Sequence, residues 1–231
     1  MVRTARWRFH DDEPADLNRQ PEPAQAPSVA ERDRPAPIRK PCVDAIRDIP
    51  FPPAADVLFA RYLARWPEES AVVAHFVELL RDPADPFRRE RLAGHFTASA
   101  WLVDRGGTRT LLTHHRKLGL WLQLGGHCDG ERDLAVAALK EAEEESGLGG
   151  LSIERELFDL DRHWIPEHKG VPAHWHYDAR FVVRAGADER FVVSDESHDL
   201  AWRDIAGLAQ DDAADPSVRR MARKWLQRGN R

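Results

Sequence analysis

Apolar residues recur at helical spacing in two blocks before residue 87. Between Pro53 and Trp66 they fall at Val57, Leu58, Phe59, Tyr62, Leu63 and Trp66; between Pro67 and Arg81 they fall at Val72, Val73, Phe76, Val77, Leu79 and Leu80. Each set makes one apolar stripe, which predicts two amphipathic helices. Pro67 suits a first helical position, Glu68 and Glu69 favour the positive end of the helix dipole, and Asp82-Pro83 and Asp85-Pro86 stop the second helix. The pair is expected to form a helical N-terminal subdomain over residues 43–86 that packs on the domain after it. A homodimer contact is its alternative use.

From Phe87 the texture changes to strands. Gly94 to Val103 leads through Asp104-Arg105-Gly106-Gly107 into Thr108 to His115, and a third strand runs from Leu118 to Leu124. A glycine-rich turn (Gly125, Gly126, Gly130) then enters a helix from Leu134 to Ser146, with Asp133 as N-cap and Gly147 at the left-handed C-cap position. Leu151 to Asp159 alternates as a strand, and Asp161 to Pro172 reads as a loop. His174 to Val183 splits by parity: Trp175, Tyr177, Ala179, Phe181 and Val183 face one way, and His174, His176, Asp178 and Arg180 the other. Phe191 to Val193 extends the sheet, Ser194 to Asp199 is a polar loop, and Leu200 to Trp202 is a short strand. The last helix opens at Asp215-Pro216 and carries Val218, Met221, Ala222, Trp225 and Leu226 on one face.

Composition sharpens this picture at the N-terminus. Ten of the sixteen prolines lie within the first 53 residues, and the stretch from Asp11 to Lys40 shows no sustained apolar period. Residues 1–42 are therefore expected to be a mobile extension without chemistry, or to reflect a start assigned too far upstream. Net charge is −5 without a long basic run, so a nucleic-acid backbone is not the expected partner. No apolar run approaches the roughly 20 residues that span a bilayer, and the first ten residues lack a signal-peptide core. Cys42 and Cys128 make no disulfide framework, and the expected location is cytoplasmic.

The chemistry concentrates between Leu124 and Leu148. At about 100° per residue, Glu141, Glu144 and Glu145 share one helix face while Glu143 points elsewhere. Three carboxylates within two turns repel one another unless water screens them or cations bind between them. Their hard oxygens suit magnesium or manganese, and a glycine pair lets a backbone carbonyl approach such an ion. A solvated acidic face is the plainer reading of those acids alone.

The whole pattern decides between the two. The stretch resembles the Nudix box, in which a glycine, five residues, a glutamate and seven further residues lead into R-E-U-x-E-E-x-G-U, with U aliphatic. Gly126 takes the opening glycine, and Lys140-Glu141-Ala142-Glu143-Glu144-Glu145-Ser146-Gly147-Leu148 the tail. Arg132 stands where the early glutamate belongs, flanked by Glu131 and Asp133, and Lys140 replaces the arginine. The segments G-H-F-T-A-S-A-W and W-L-Q-L-G-G-H also look like a bacterial Nudix subgroup without a settled substrate.

The resemblance spans roughly Gly94 to Gln227. It implies an α+β fold, a Nudix-like α/β/α sandwich around a mixed β-sheet, over residues 87–231. It implies Mg²⁺- or Mn²⁺-dependent hydrolysis of a nucleoside diphosphate linked to another moiety, by water attack on phosphorus. Glu141, Glu144, Glu145 and the Gly125 carbonyl would hold metal, Glu144 and Glu145 would be catalytic, and Lys140 would orient a glutamate less firmly than an arginine fork. Glu196, in the polar loop, is the candidate for a further acid from outside the box.

His174, His176 and Arg180 are candidate ligands for phosphate or sugar oxygens, or a hydrogen-bonded structural face. The alternate residues His174, His176 and Asp178 also have the form of a transition-metal site. His114, His115 and Lys117 are weaker substrate candidates, and Arg132 is a candidate partner for a phosphate. The alternative to a hydrolase is a non-catalytic Nudix-fold module that binds or senses a nucleotide, which Arg132 and Lys140 favour and the intact acid trio opposes. In either case the partner is a small-molecule nucleotide, with neither nucleic acid nor membrane.

Overall fold

A computed structural model describes residues 54–115, 119–168, 170–192 and 197–228, with the side chains of Ser197 and His198 excepted. The proline-rich extension, Cys42, Lys117 and Glu196 lie outside the described residues. Seven strands form one mixed sheet: β1 (Gly94–Val103), β2 (Arg109–His115), β3 (Leu120–Leu122), β4 (Leu124–His127), β5 (Ser152–Ile165), β6 (His174–Arg184) and β7 (Ser197–Asp204). The order is β3-β2-β1-β6-β5, with β4 added to β1 and β7 to β2. The β1–β6 ladder is parallel and the others are antiparallel.

Helices cover both faces because alternate residues of the central strands are apolar on both. Phe96 and Ala98 of β1 join one cluster with Phe59 of α1 (Ala55–Arg65), Phe76 of α2 (Ser70–Arg81) and Ala138 of α3 (Leu134–Ser146). The two N-terminal helices thus share a core with the sheet, and Phe59, Phe76, Phe87 and Phe96 pack ring against ring at its centre. On the opposite face, Trp101 and Val103 pack with Ile205 of α4 (Ile205–Leu208) and Met221 of α5 (Pro216–Arg228). The same parity places His95, Thr97 and Ser99 on the α5 face at the other end of β1, where the surface turns polar.

Four local expectations change. The second helix opens with a 3₁₀ turn over Pro67–Glu69 before α2 begins at Ser70. Strand β5 runs on to Ile165 where a loop was expected from Asp161. Its polar residues are cross-strand partners: Arg162 stacks 3.8 Å over the Trp175 ring, and His163 lies opposite His176. The glycines at 125 and 126 belong to strand β4 rather than a turn, paired with Ser99 and Ala98. Phe191 and Val192 add no strand; the Val192 N–H instead donates to the Ser146 carbonyl at 2.8 Å, satisfying an end of α3.

A buried charge cluster joins the sheet to its helices. Asp159 of β5 is fully buried and accepts from Arg220 (2.7 and 3.0 Å) and Lys224 (2.7 Å) of α5 and from Arg180 (3.1 Å) of β6. Lys224 also donates to Tyr62 of α1 (2.6 Å) and pairs with Glu69 (2.5 Å). Burial works to raise the pKa of Asp159, but the Arg220 hydrogen bond and the charges of Arg180, Arg220 and Lys224 outweigh it and hold it at about 2. That lies below the unfolded value of about 3.9. The stabilisation is therefore complete above about pH 4 and lost as pH falls towards 2. Asp159→Asn should destabilise the fold by about 3–5 kcal/mol at pH 7, because three cations lose their shared anion. In urea titrations the gap between parent and variant should narrow as pH falls from about 4 to 2. A gap constant across that window would contradict this account of Asp159.

Candidate active site

Helix α3 is fixed at both ends by its own sequence. The Asp133 carboxylate accepts from the backbone N–H groups of Ala135 (3.1 Å) and Val136 (3.3 Å) and pairs with Arg155, and Gly147 closes the helix at φ 66°. Its buried side carries Ala135, Ala137, Ala138 and Ala142, whose small side chains let the helix lie close on the sheet. Ala142, at the aliphatic position of the motif, is completely buried.

Two of the three acids reach the glycines of β4. The Gly125 N–H donates to Glu145 Oε1 at 2.7 Å. Glu141 lies against Gly126, where an added Cβ would stand 2.6 Å from Glu141 Oε2. Glu144 is more than half exposed, with Lys140 Nζ 3.6 Å from its Oε2. Glu143 is half-buried, and burial, then the charge of Glu144, raises its pKa. Beside these groups opens a cavity of about 330 Å³ lined by His127, Asp129, Lys140 and Glu141 among others. Arg89 stands nearby, held on Asp129 (2.6 Å from Nε), a residue with the positive φ of 51°. Nothing in the motif pointed to Arg89, which lies before the first strand.

The polar face of the sheet is built in rows across strands. His163, His176 and His95 are register partners; so are Asp161, Asp178 and Thr97, then Asp159, Arg180 and Ser99. Arg180 is not available to a substrate, which corrects its expected role. It is only 2% exposed, and its guanidinium donates to Asp178 (2.7 Å), Asp159 (3.1 Å) and Asp161 (2.9 Å). Asp178 also accepts from Thr97 (3.1 Å), Ser99 (2.7 Å) and Gln123 (3.2 Å), so it is a structural acceptor rather than a metal ligand beside His174 and His176.

Five imidazoles gather at the end of this face. The ring centroid of His95 lies 4.9–5.1 Å from those of His127, His174 and His176, and His163 is 5.5 Å from His176. Burial, then the Arg89 charge, lowers the pKa of His127 to about 4. Burial, then the neighbouring histidines, lowers that of His176 to about 2. His95, His127 and His163 escape a search by spacing because they come from three further strands. His114 packs on Trp121 (5.1 Å) at the end of β2, and with His115 it belongs to the pairing with β3 and β7. Arg132 is exposed, 3.1 Å from Asp85 and stacked 5.3 Å over Phe87. Of the two flanking acids, Asp133 caps α3, while Glu131 accepts from the Asp133 N–H at 2.8 Å and lines the cavity.

The family model of the NUDIX domain matches residues 94–225, more than half of the chain. The chain belongs to the NUDIX domain family. As a Nudix protein it is a hydrolase acting on phosphoanhydride bonds. Similar solved structures include a NUDIX-family hydrolase from Clostridium perfringens, 22% identical, covering 58% of this chain and 96% of that one at a TM-score of 0.46. The Ap4A hydrolase of C. elegans is 18% identical over 58% of this chain and 97% of its own, at a TM-score of 0.47. The E. coli dihydroneopterin triphosphate pyrophosphohydrolase is 16% identical over 58% and 95%, at a TM-score of 0.46. No curated protein matches the chain. The family assignment rests on the domain match. Among the described residues, no helix is long and apolar enough to cross a membrane.

Nudix hydrolases generally need a divalent metal. The residues present fit one: Glu141, Glu144 and Glu145 offer only hard oxygens, and a Cβ on Gly126 would fill the space Glu141 occupies. The two glycines should respond differently to alanine. At Gly125 the new Cβ would meet the Ser99 backbone at 2.7 Å, so Gly125→Ala should cost about 1–3 kcal/mol of stability. At Gly126 it meets the mobile end of Glu141, so Gly126→Ala should keep its melting temperature and lose about 10–100-fold in activity. Paired melting and turnover assays check this; equal melting temperatures for the two variants would contradict the difference in packing.

Proposed function

We propose that this Nudix hydrolase cleaves a nucleoside diphosphate linked to another moiety, with water attacking phosphorus and Mg²⁺ or Mn²⁺ as cofactor. The observation that carries the reading is the convergence of Glu141 and Glu145 on the adjacent glycines of β4, beside the cavity. In this reading Glu141, Glu144, Glu145 and the Gly125 carbonyl hold the metal. A divalent cation held there would supply charge neutralisation for diphosphate oxygens and would make a bound water a better nucleophile.

The chain's own groups then have separable tasks. The Gly125 N–H fixes Glu145 through one carboxylate oxygen. Glu144 keeps its carboxylate in solvent beside Lys140, and we assign it the proton released by the attacking water. Lys140 orients Glu144 as a point charge, a looser support than a bidentate arginine. Asp129 lines the cavity and holds Arg89 through both carboxylate oxygens, and in this reading Arg89 exchanges one of those contacts for a phosphate oxygen. Arg132 is exposed enough to meet a substrate, at the cost of a surface pair with Asp85 worth about 0–1 kcal/mol.

A panel of nucleoside diphosphate derivatives with and without Mg²⁺ tests this reading, with phosphate products followed compound by compound. At least one compound should be hydrolysed in a metal-dependent manner. Glu145→Gln should lower kcat by about 10²-fold or more without lowering the melting temperature, since it removes one of several repelling charges. A parent that binds a nucleotide but hydrolyses none of the panel would replace this reading with a nucleotide sensor.

A further inference from the structure

We propose that His95, His174 and His176 form a binding site for one zinc-type transition-metal ion, with ligands separate from the glutamates of α3. The inference stands apart from the proposed function, because it rests on three imidazoles at the end of the sheet's polar face.

Hydrogen bonding fixes two of the rings. His95 Nδ1 is 3.2 Å from the Arg91 carbonyl, and His174 Nδ1 is 2.7 Å from the Pro172 carbonyl. A carbonyl oxygen only accepts, so both Nδ1 atoms carry the proton and both Nε2 atoms present a lone pair. This is how metal-ligating histidines are usually held: the distal nitrogen donates to a backbone carbonyl or carboxylate while the other nitrogen faces the ion. His95 Nε2 is buried and has no hydrogen-bond partner among the described residues. Its ring is 2% exposed. His174 Nε2 faces His176 Nε2 at 3.2 Å.

Without a cation, a proton on His176 Nε2 would satisfy His174 and still leave His95 Nε2 orphaned in the interior. With a cation, all three lone pairs have a partner. Ligand atoms of the three side chains lie within 4.8 Å of one another. Tetrahedral nitrogens about 2.0–2.1 Å from zinc stand about 3.3 Å apart, so the His174–His176 spacing already matches and His95 needs a modest rotation.

The backbone accounts for the convergence. His95 and His176 are register partners in the parallel β1–β6 ladder, and His174 lies two residues from His176 on the same face. Three imidazoles select borderline ions such as zinc over magnesium, whereas the glutamates of α3 offer only oxygens. His127, whose ring centroid lies 5.1 Å from those of both His95 and His176, also lines the cavity beside Glu141 and places this site next to it.

The test uses the full chain, stripped with a chelator and titrated with Zn²⁺ by calorimetry in millimolar Mg²⁺. Co²⁺ is titrated in parallel and followed by visible absorption. We expect one Zn²⁺ per chain with a Kd below about 1 µM, a rise of several degrees in melting temperature, and the intense absorption of four-coordinate Co²⁺. Zn²⁺ affinity should fall by at least about 100-fold in His95→Gln and in His174→Gln and be unchanged in Glu145→Gln. Absence of Zn²⁺ binding, displacement by Mg²⁺, or loss of Zn²⁺ in Glu145→Gln would overturn the site. If a histidine variant fails to fold by circular dichroism, zinc-edge X-ray absorption on the parent decides. A nitrogen shell with imidazole scattering supports the site, and an oxygen-dominated shell overturns it.

Discussion

The guanidinium of Arg180 is the constraint on which the polar side of this molecule depends. It sits inside the sheet with Asp159, Asp161 and Asp178 around it, and two of these carboxylates reach on to other elements. Asp178 holds Thr97 and Ser99 of β1 and Gln123, while Asp159 holds Arg220 and Lys224 of α5. Buried charges are tolerated only when paired and hydrogen-bonded, so the donors and acceptors around Arg180 specify one another. Ser99 carries that constraint onward, because Gly125 lies so close to it that a Cβ would stand 2.2 Å from the Ser99 Oγ. The same Gly125 donates to Glu145, so a path of hydrogen bonds and close strand packing runs from the buried arginine to Glu145 of α3.

Much of the fold was legible because it rests on local chemistry. Asp133 and Gly147 delimit the box helix where their cap propensities put it, and β1 spans the predicted Gly94 to Val103. The parity of β6 likewise separated its apolar face from its polar one. What sequence order hides is the partner across the sheet. Arg180 could be read either as a substrate ligand or as part of a structural face, because its partners Asp159 and Asp161 lie about twenty residues away on a strand whose extension past Asp159 read as a loop. The histidine group was half seen for the same reason: His174 and His176 share a strand, but His95 joins them only through parallel register. Glu141, Glu144 and Glu145 were read as a set from helical spacing, and the packing of α3 on β4 brings Glu141 to Gly126 and Glu145 to Gly125.

The two ligand sets differ in kind, and this gives the account its sharpest consequence. Oxygen donors on a helix end suit a hard, well-hydrated cation, and imidazoles with anchored Nδ1 atoms suit a softer one. The two proposed ligand sets share no residue, so either ion should occupy its place without displacing the other. Crystals soaked with Mn²⁺ and Zn²⁺ together, with anomalous differences measured at each metal's absorption edge, test this most directly. Manganese is expected beside Glu141 and Glu145, and zinc among His95, His174 and His176. Both metals at one of these positions, or zinc only among the glutamates, would contradict it.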